Sequence, residues 1–278
     1  MQRLFSYITL GFLYVGLAFA QEPLTFDPVN PPTQPNAPFD TVYNHYGSTR
    51  LGPKNLIVFL VIPSDGNPWT SPPSFAALQS QLQNSSQRYY ESSYHRTWFG
   101  PIRRDGVNYP MLQVTSQVLQ LPRTRSEYTA SFGTLLNDAA AAAQAIGYDP
   151  WKFDRWVVMS NTSMIRSTGL AFLNGRGAWV GNRLDGNVAL HEWGHNWGAM
   201  HANSYYVPSG EDPNLPARSP LRLSGEYGDG GDVMGGGGPL LFNQVFREQL
   251  GFLSRARGEV VDVTASGTYR LYDFEHAD

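Results

Sequence analysis

The chain has 278 residues, a formal net charge of −3, 13% aromatic and 15% charged residues, and no cysteine. That length supports one sizeable core with room for a small appendage. The scattered charges exclude the basic stripe that nucleic acid requires and a basic patch for a membrane surface, and the missing cysteine excludes disulfides and lipid attachment at an N-terminal cysteine.

Residues 1–20 read as a secretory signal peptide: Arg3 is the positive end, "ITLGFLYVGLAFA" the apolar stretch, and "AFA" before Gln21 a small-x-small cleavage site. The apolar run is short for a bilayer span, which favours a cleaved signal over a retained anchor, and no other stretch could cross a membrane. The expected location is therefore secreted. Residues 21–54 ("DPVNPPTQPNAPFD" within them) form a Pro-rich leader or linker. A catalytic domain is expected over 55–257. It opens with "NLIVFLVIPSD" (55–65), a continuous apolar run that reads as a buried central strand. A helix follows, with Ser71 as cap and Pro72 in its first turn. Residues 111–122 alternate like a strand. The alanine-rich segment from Ser126 reads as one helix ending at Gly147. Residues 153–161 are a further strand, and 169–182 a strand with an irregular, Gly-rich edge. A helix is expected from Asn187 to Met200, a loop over 201–239, and a helix over 240–253. Residues 258–274 alternate like strands around a Ser-Gly turn, so 258–278 is expected to be a β-rich segment that opens a longer domain or pairs with the catalytic one. This order gives an α/β (α+β) fold: a twisted mixed sheet with packed helices.

The chemistry concentrates in "HEWGHNWGAMH" (His191–His201), which holds three of the six histidines. On a helix, residues four apart are displaced by only about 40°, so His191 and His195 can face one ion. Gly198 can end the helix in a left-handed conformation and let His201 return as a third ligand. Three imidazoles plus a water suit a catalytic Zn²⁺, and Glu192 can lean over that water as general base. Leu190, Trp193 and Trp197 fall at roughly 200–260° from His191 and should enter the core, while Gly194 leaves room near the ligand face.

The pattern His191-Glu192-x-x-His195-x-x-Gly198-x-x-His201 resembles the zinc signature of the metzincin metallopeptidases. "EYGDGGDVMGGGG" (Glu226–Gly238), "FNQVFREQLGFL" and "GLAFLNGRGAWVGN" look most like the gametolysin-type branch. The resemblance implies an active-site helix below a cleft, a small loop-rich C-terminal subdomain after Gly198, and Met234 as a structural floor under the metal. It implies a secreted zinc-dependent endopeptidase acting on extracellular or cell-wall proteins, with the peptide substrate lying along an edge strand within 169–180. Some branches place a tyrosine two residues after the methionine, where this chain has Gly236; Tyr205, Tyr206 or Tyr227 could supply a phenol instead. Without cysteine, a cysteine-capped latency is impossible, and Asp27 or Asp40 are the conceivable substitutes. The alternative is a zinc-containing binding module on a cell surface or wall, against which an intact Glu192 speaks.

Outside this segment the signals are weaker. His45 and His95 read as residues with surface or core hydrogen bonds, and His276, two residues from the chain end, carries no weight. Asp229 and Asp232, beside glycines, read as turn formers before calcium ligands. Asn84 and Asn161 match the glycosylation triplet. Oligomeric state is not legible.

Overall fold

The structure, a computed structural model, describes residues 51–207, 209, 223–236 and 241–269. The signal segment, Asp27, Asp40, His45, His276 and the side chain of Tyr205 lie outside the described residues. In chain order the elements are β1 (Gly52–Lys54), β2 (Leu56–Ile62), α1 (Phe75–Ser92), β3 (Thr97–Phe99), β4 (Ile102–Arg104), β5 (Val107–Tyr109), β6 (Leu112–Val114) and β7 (Leu119–Gln120). Then follow α2 (Arg125–Ala130), α3 (Phe132–Ala145), β8 (Arg155–Met159), β9 (Leu170–Ala171), β10 (Gly177–Trp179), α4 (Asn187–Trp197), β11 (Ser204–Tyr206), β12 (Leu223–Gly225) and α5 (Gln244–Gln249).

The main sheet runs β6-β2-β8-β10-β9, with β7 joining β2 beyond β6. Its pairings are parallel except for β9, which lies antiparallel to β10 at one edge. The sheet is therefore mixed, as expected, and β2 is an interior strand, flanked by β8 on one side and by β6 and β7 on the other. Continuous apolar sequence makes β2 a two-sided strand: Leu56, Val58 and Leu60 enter the core beneath α1 and α4, and Ile57, Phe59 and Val61 the core beneath α3. Trp156 and Val158 follow the second face, Val157 and Met159 the first. The small Ala139, Ala140 and Ala143 on α3 let that helix lie close on the sheet.

Several expected elements are subdivided or shifted, each for a local reason. The strand expected over 111–122 splits into β6 and β7, because the Leu60 N–H turns to Thr115 Oγ1 (3.2 Å) and the Ser116 N–H to Tyr148 Oη (2.8 Å). The single helix expected from Ser126 breaks at Ser131, whose extended backbone ends α2 and whose hydroxyl caps α3. A capping box from Thr124 and Glu127 starts α2 earlier than expected. Helix α1 is capped by Ser74 rather than Ser71, since each residue before a proline is driven out of helical backbone and Pro72 and Pro73 are adjacent. The loop expected over 201–239 contains the β11–β12 pair. The helix expected over 240–253 is shorter, with Asn243 as its cap. Residues 258–269 form no strand, and Val261 and Val263 are exposed there.

Two tethers place α4. Tyr89 on α1 donates its hydroxyl to the Leu190 carbonyl (2.6 Å) and stacks on Trp197 at 4.5 Å. At the other side, Asn196 Nδ2 donates to the carbonyls of Phe172 (3.0 Å) and Gly177 (3.1 Å), and the Asn174 N–H donates to the His195 carbonyl (2.8 Å). The helix is thus bonded both to its neighbour α1 and to the β9–β10 turn at the sheet edge. Leu190, Trp193 and Trp197 are buried, on the face expected from their helical angles.

Candidate metal centre

Helix α4 carries His191 and His195 one turn apart, their rings 4.8 Å centre to centre. Its last helical residue is Trp197, three residues before the expected Met200, and its cap is Gly198, whose φ of 111° only glycine adopts without strain. The chain reverses there, and His201 returns with its ring 4.9 Å from His195 and 5.3 Å from His191. One ligand atom from each of the three lies within 4.8 Å of the others, so the triad could hold a metal ion.

The ring nitrogens facing away from the triad are all engaged. His191 Nδ1 meets the Val233 carbonyl (2.9 Å) and His195 Nδ1 the Ala199 carbonyl (2.8 Å). A carbonyl only accepts, so both Nδ1 atoms carry the proton and both Nε2 atoms present lone pairs. His201 Nδ1 meets Glu226 Oε1 (2.7 Å), which selects the same tautomer. Burial lowers the His191 pKa and takes that of His195 down to about 4, so both rings stay neutral, the form that ligates.

Glu192 points off the same helix and is 6% exposed. Burial pushes its carboxyl up to about 8, and Oε2 has no hydrogen-bond partner. Its carboxylate packs on the backbone of Gly169, just before β9, where a Cβ would overlap Oε1. The donor set fits a divalent metal of the imidazole-preferring class: three Nε2 atoms with locked tautomers, and an orphaned carboxylate oxygen beside them.

Met234 is fully buried, with its sulfur against Gly194 and its amide bonded to Asp232 Oδ1 (2.6 Å). The room left by Gly194 is taken by this sulfur from below, where a Cβ would overlap it. Asp232, also fully buried, accepts the Asn243 N–H (2.5 Å) too, so one carboxylate joins the methionine turn to the cap of α5. Asp229 accepts from the Gly231 N–H (2.9 Å) and from Asn243 Nδ2 (3.1 Å). Both aspartates do turn and cap work.

Of the three candidate tyrosines, Tyr227 lies at the triad, 3.9 Å from the His201 ring and 5.7 Å from His191. Burial, with Glu226 and Glu192 nearby, raises its phenol pKa. Tyr206 is exposed on β11. His95 is away from the triad, stacked on Tyr90 at 4.3 Å, and Asn161 donates to the carbonyls of Asn67 and Pro68. Gly169, Glu226 and the Val233 carbonyl are partners of the site that carry no local signal in the sequence.

No protein-family profile matches the chain, and no curated protein matches it. Among solved structures it is similar, at 12% identity and a TM-score of 0.40, to wild-type OgpA from Akkermansia muciniphila, over 74% of this chain and 63% of that one. It is also similar, at 13% identity and a TM-score of 0.35, to a chain described as a chaperone-substrate complex, over 70% of this chain and 29% of that one. The chain spans less than two thirds of either. Likeness at this level assigns neither site nor activity.

Proposed function

We propose that the chain is a secreted zinc-dependent endopeptidase of the metzincin kind, acting on extracellular or cell-wall proteins. The observation that carries the reading is Glu192: a buried carboxylate with an unpartnered oxygen, next in sequence to a ligand of a tautomer-locked histidine triad. A binding module has no use for an orphaned carboxylate there, since leaving it unpaired costs free energy. When bound, zinc supplies polarisation of the scissile carbonyl and acidifies a coordinated water. Glu192 Oε2 takes the proton from the attacking water and delivers it to the leaving amine nitrogen. Its pKa, raised by burial, suits the proton-donating half of that exchange. Tyr227 is the candidate phenol donor to the developing oxyanion.

The expected substrate edge, 169–180, narrows. Strand β10 is flanked on both sides, by β8 and β9, so only β9 is an edge in that region. Among the described residues no strand pairs with its outer side, where an extended peptide would add. Gly169 joins this edge to Glu192, which brings a peptide backbone lying along β9 next to the base.

The test combines metal content and rate on one preparation. The purified mature chain should hold about one zinc per molecule and degrade casein in a zymogram only without chelator. Glu192→Ala should keep its zinc while the rate falls by about three orders of magnitude or more. Zinc near zero in intact protein sinks the reading. Depleted zinc in Glu192→Ala, with activity restored by added metal, reassigns Glu192 to the scaffold.

A further inference from the structure

We propose that Glu226 is the positioning residue of the third ligand: its carboxylate fixes His201 in the tautomer and orientation that present Nε2 to the metal, and gives that ligand a negative charge behind it. This rests on the reading of His191, His195 and His201 as a zinc centre.

The three ligands are supported unequally. His191 and His195 stand on α4, whose backbone sets their separation, and each gives its Nδ1 proton to a neutral carbonyl. His201 lies beyond the helix, where no regular element holds it. Its place is set instead by a second strand of chain. The β11–β12 register puts Ser204 opposite Gly225, so the residues just before β11 run alongside those just after β12. Asn203 Oδ1 accepts the Tyr227 N–H (3.2 Å), the Ala202 carbonyl accepts the Asp229 N–H (3.1 Å), and the Ala202 N–H donates to the Met234 carbonyl (2.9 Å). This zipper delivers Glu226 to His201 Nδ1 at 2.7 Å and lays the Tyr227 ring against the His201 ring at 3.9 Å.

A carboxylate behind Nδ1–H differs in kind from a carbonyl. The charge-assisted bond is stronger, and it raises the electron density at Nε2 and so the ligand's basicity. Glu226 is largely exposed, so as an ion pair it contributes little to folding. Its effect should therefore appear in metal affinity and be nearly absent from the stability of the metal-free chain. That separation distinguishes a positioning residue from a structural one.

The experiment titrates zinc alone, against a competing chelator, into the metal-free chain and its Glu226→Ala and Glu226→Gln variants. Thermal unfolding is recorded without metal, and Co²⁺ spectra with it. Glu226→Ala should weaken zinc by about 10–100-fold. Glu226→Gln, which keeps an acceptor without the charge, should fall between. Both should shift the Co²⁺ bands, while their metal-free melting curves overlay that of the parent. Zinc affinity in Glu226→Ala within about twofold of the parent overturns the proposal. So does a weakening matched by an equal loss of metal-free stability, which assigns Glu226 to the hairpin alone. If the parent itself binds no zinc, the metal-centre reading falls with it. A parent that binds, with variants equal to it, removes only Glu226.

Discussion

Glu192 loses water on folding and gains no partner for Oε2, while its other oxygen rests on Gly169. A group held that way is poised for a proton and costs stability, a trade that functional sites make. The contact with Gly169 leads to a prediction at this scale. Gly169→Ala should push the carboxylate aside without touching a ligand. Displacement by about 1 Å can cost on the order of 100-fold in rate, so casein hydrolysis should fall by that order while zinc content stays near one per chain. Unchanged turnover in a folded, zinc-loaded Gly169→Ala would show that the carboxylate has slack. The same scale marks the limit of what residue spacing reveals. Glu192 was legible because it sits beside His191, whereas Gly169 is twenty-three positions away and looked like one glycine among the chain's 28.

Helix α4 is the element that turns spacing into a site, and Gly198 is where it stops. A side chain at φ 111° is strained in left-handed backbone, at a cost of roughly 1–2 kcal/mol. Gly198→Ala should lower stability in urea by about that amount. It should also weaken zinc binding, since the turn that returns His201 would shift. Full stability and full affinity together would contradict that account of the helix end. Elements with a strong local period were legible: β2 by its unbroken apolar run, α4 by its histidine and tryptophan faces. Segments 111–122 and 126–147 each look like a single element in sequence because Thr115 and Ser131 pass for ordinary strand and helix residues. Their hydroxyls compete with the ladder and the helix for backbone N–H groups, Thr115 for that of Leu60, 55 residues away, and Ser131 for that of Thr134, three residues on. Residues 258–269 show the converse. Alternation becomes a strand only when another edge takes up its backbone, and no described strand does so.

In the whole molecule, a buried charge cluster lies where the end of β1 meets the start of β8. Lys54 is 1% exposed and donates to the carbonyls of Leu51 (2.7 Å) and Gly52 (3.1 Å). Burial lowers the Lys54 pKa to about 7, against the opposing attraction of Asp154, which pairs with Arg104 at 2.9 Å. The unfolded chain, with lysine near 10.5, therefore binds this proton between pH 7 and 10.5 where the folded chain does not. Stability contributed by this site rises with pH through that window, by up to about 1.4 kcal/mol per pH unit, and is flat below it. Lys54→Met should remove that slope. Urea unfolding of parent and variant at several pH values from 7 to 10, with the metal state matched, reads the difference directly. Parallel stability profiles would mean that Lys54 keeps its proton when buried.

The sequence by itself determined the parts governed by short-range geometry. Helical pitch puts His191, Glu192 and His195 on one side of α4, a glycine at 198 permits the reversal, and an apolar run too uniform for a surface puts β2 inside the sheet. Tertiary structure alone decided what stands behind His191 and His201, whereas His195 meets the Ala199 carbonyl only four residues on. Val233 is 42 residues from His191 and Glu226 is 25 from His201, and no local period encodes such pairings. They follow from the β11–β12 register and from the packing of Met234 beneath Gly194, which bring one chain segment under the helix and beside its end. A hydrogen bond needs its partner within about 3 Å, and only the folded path of the whole chain brings residues so far apart in sequence that close.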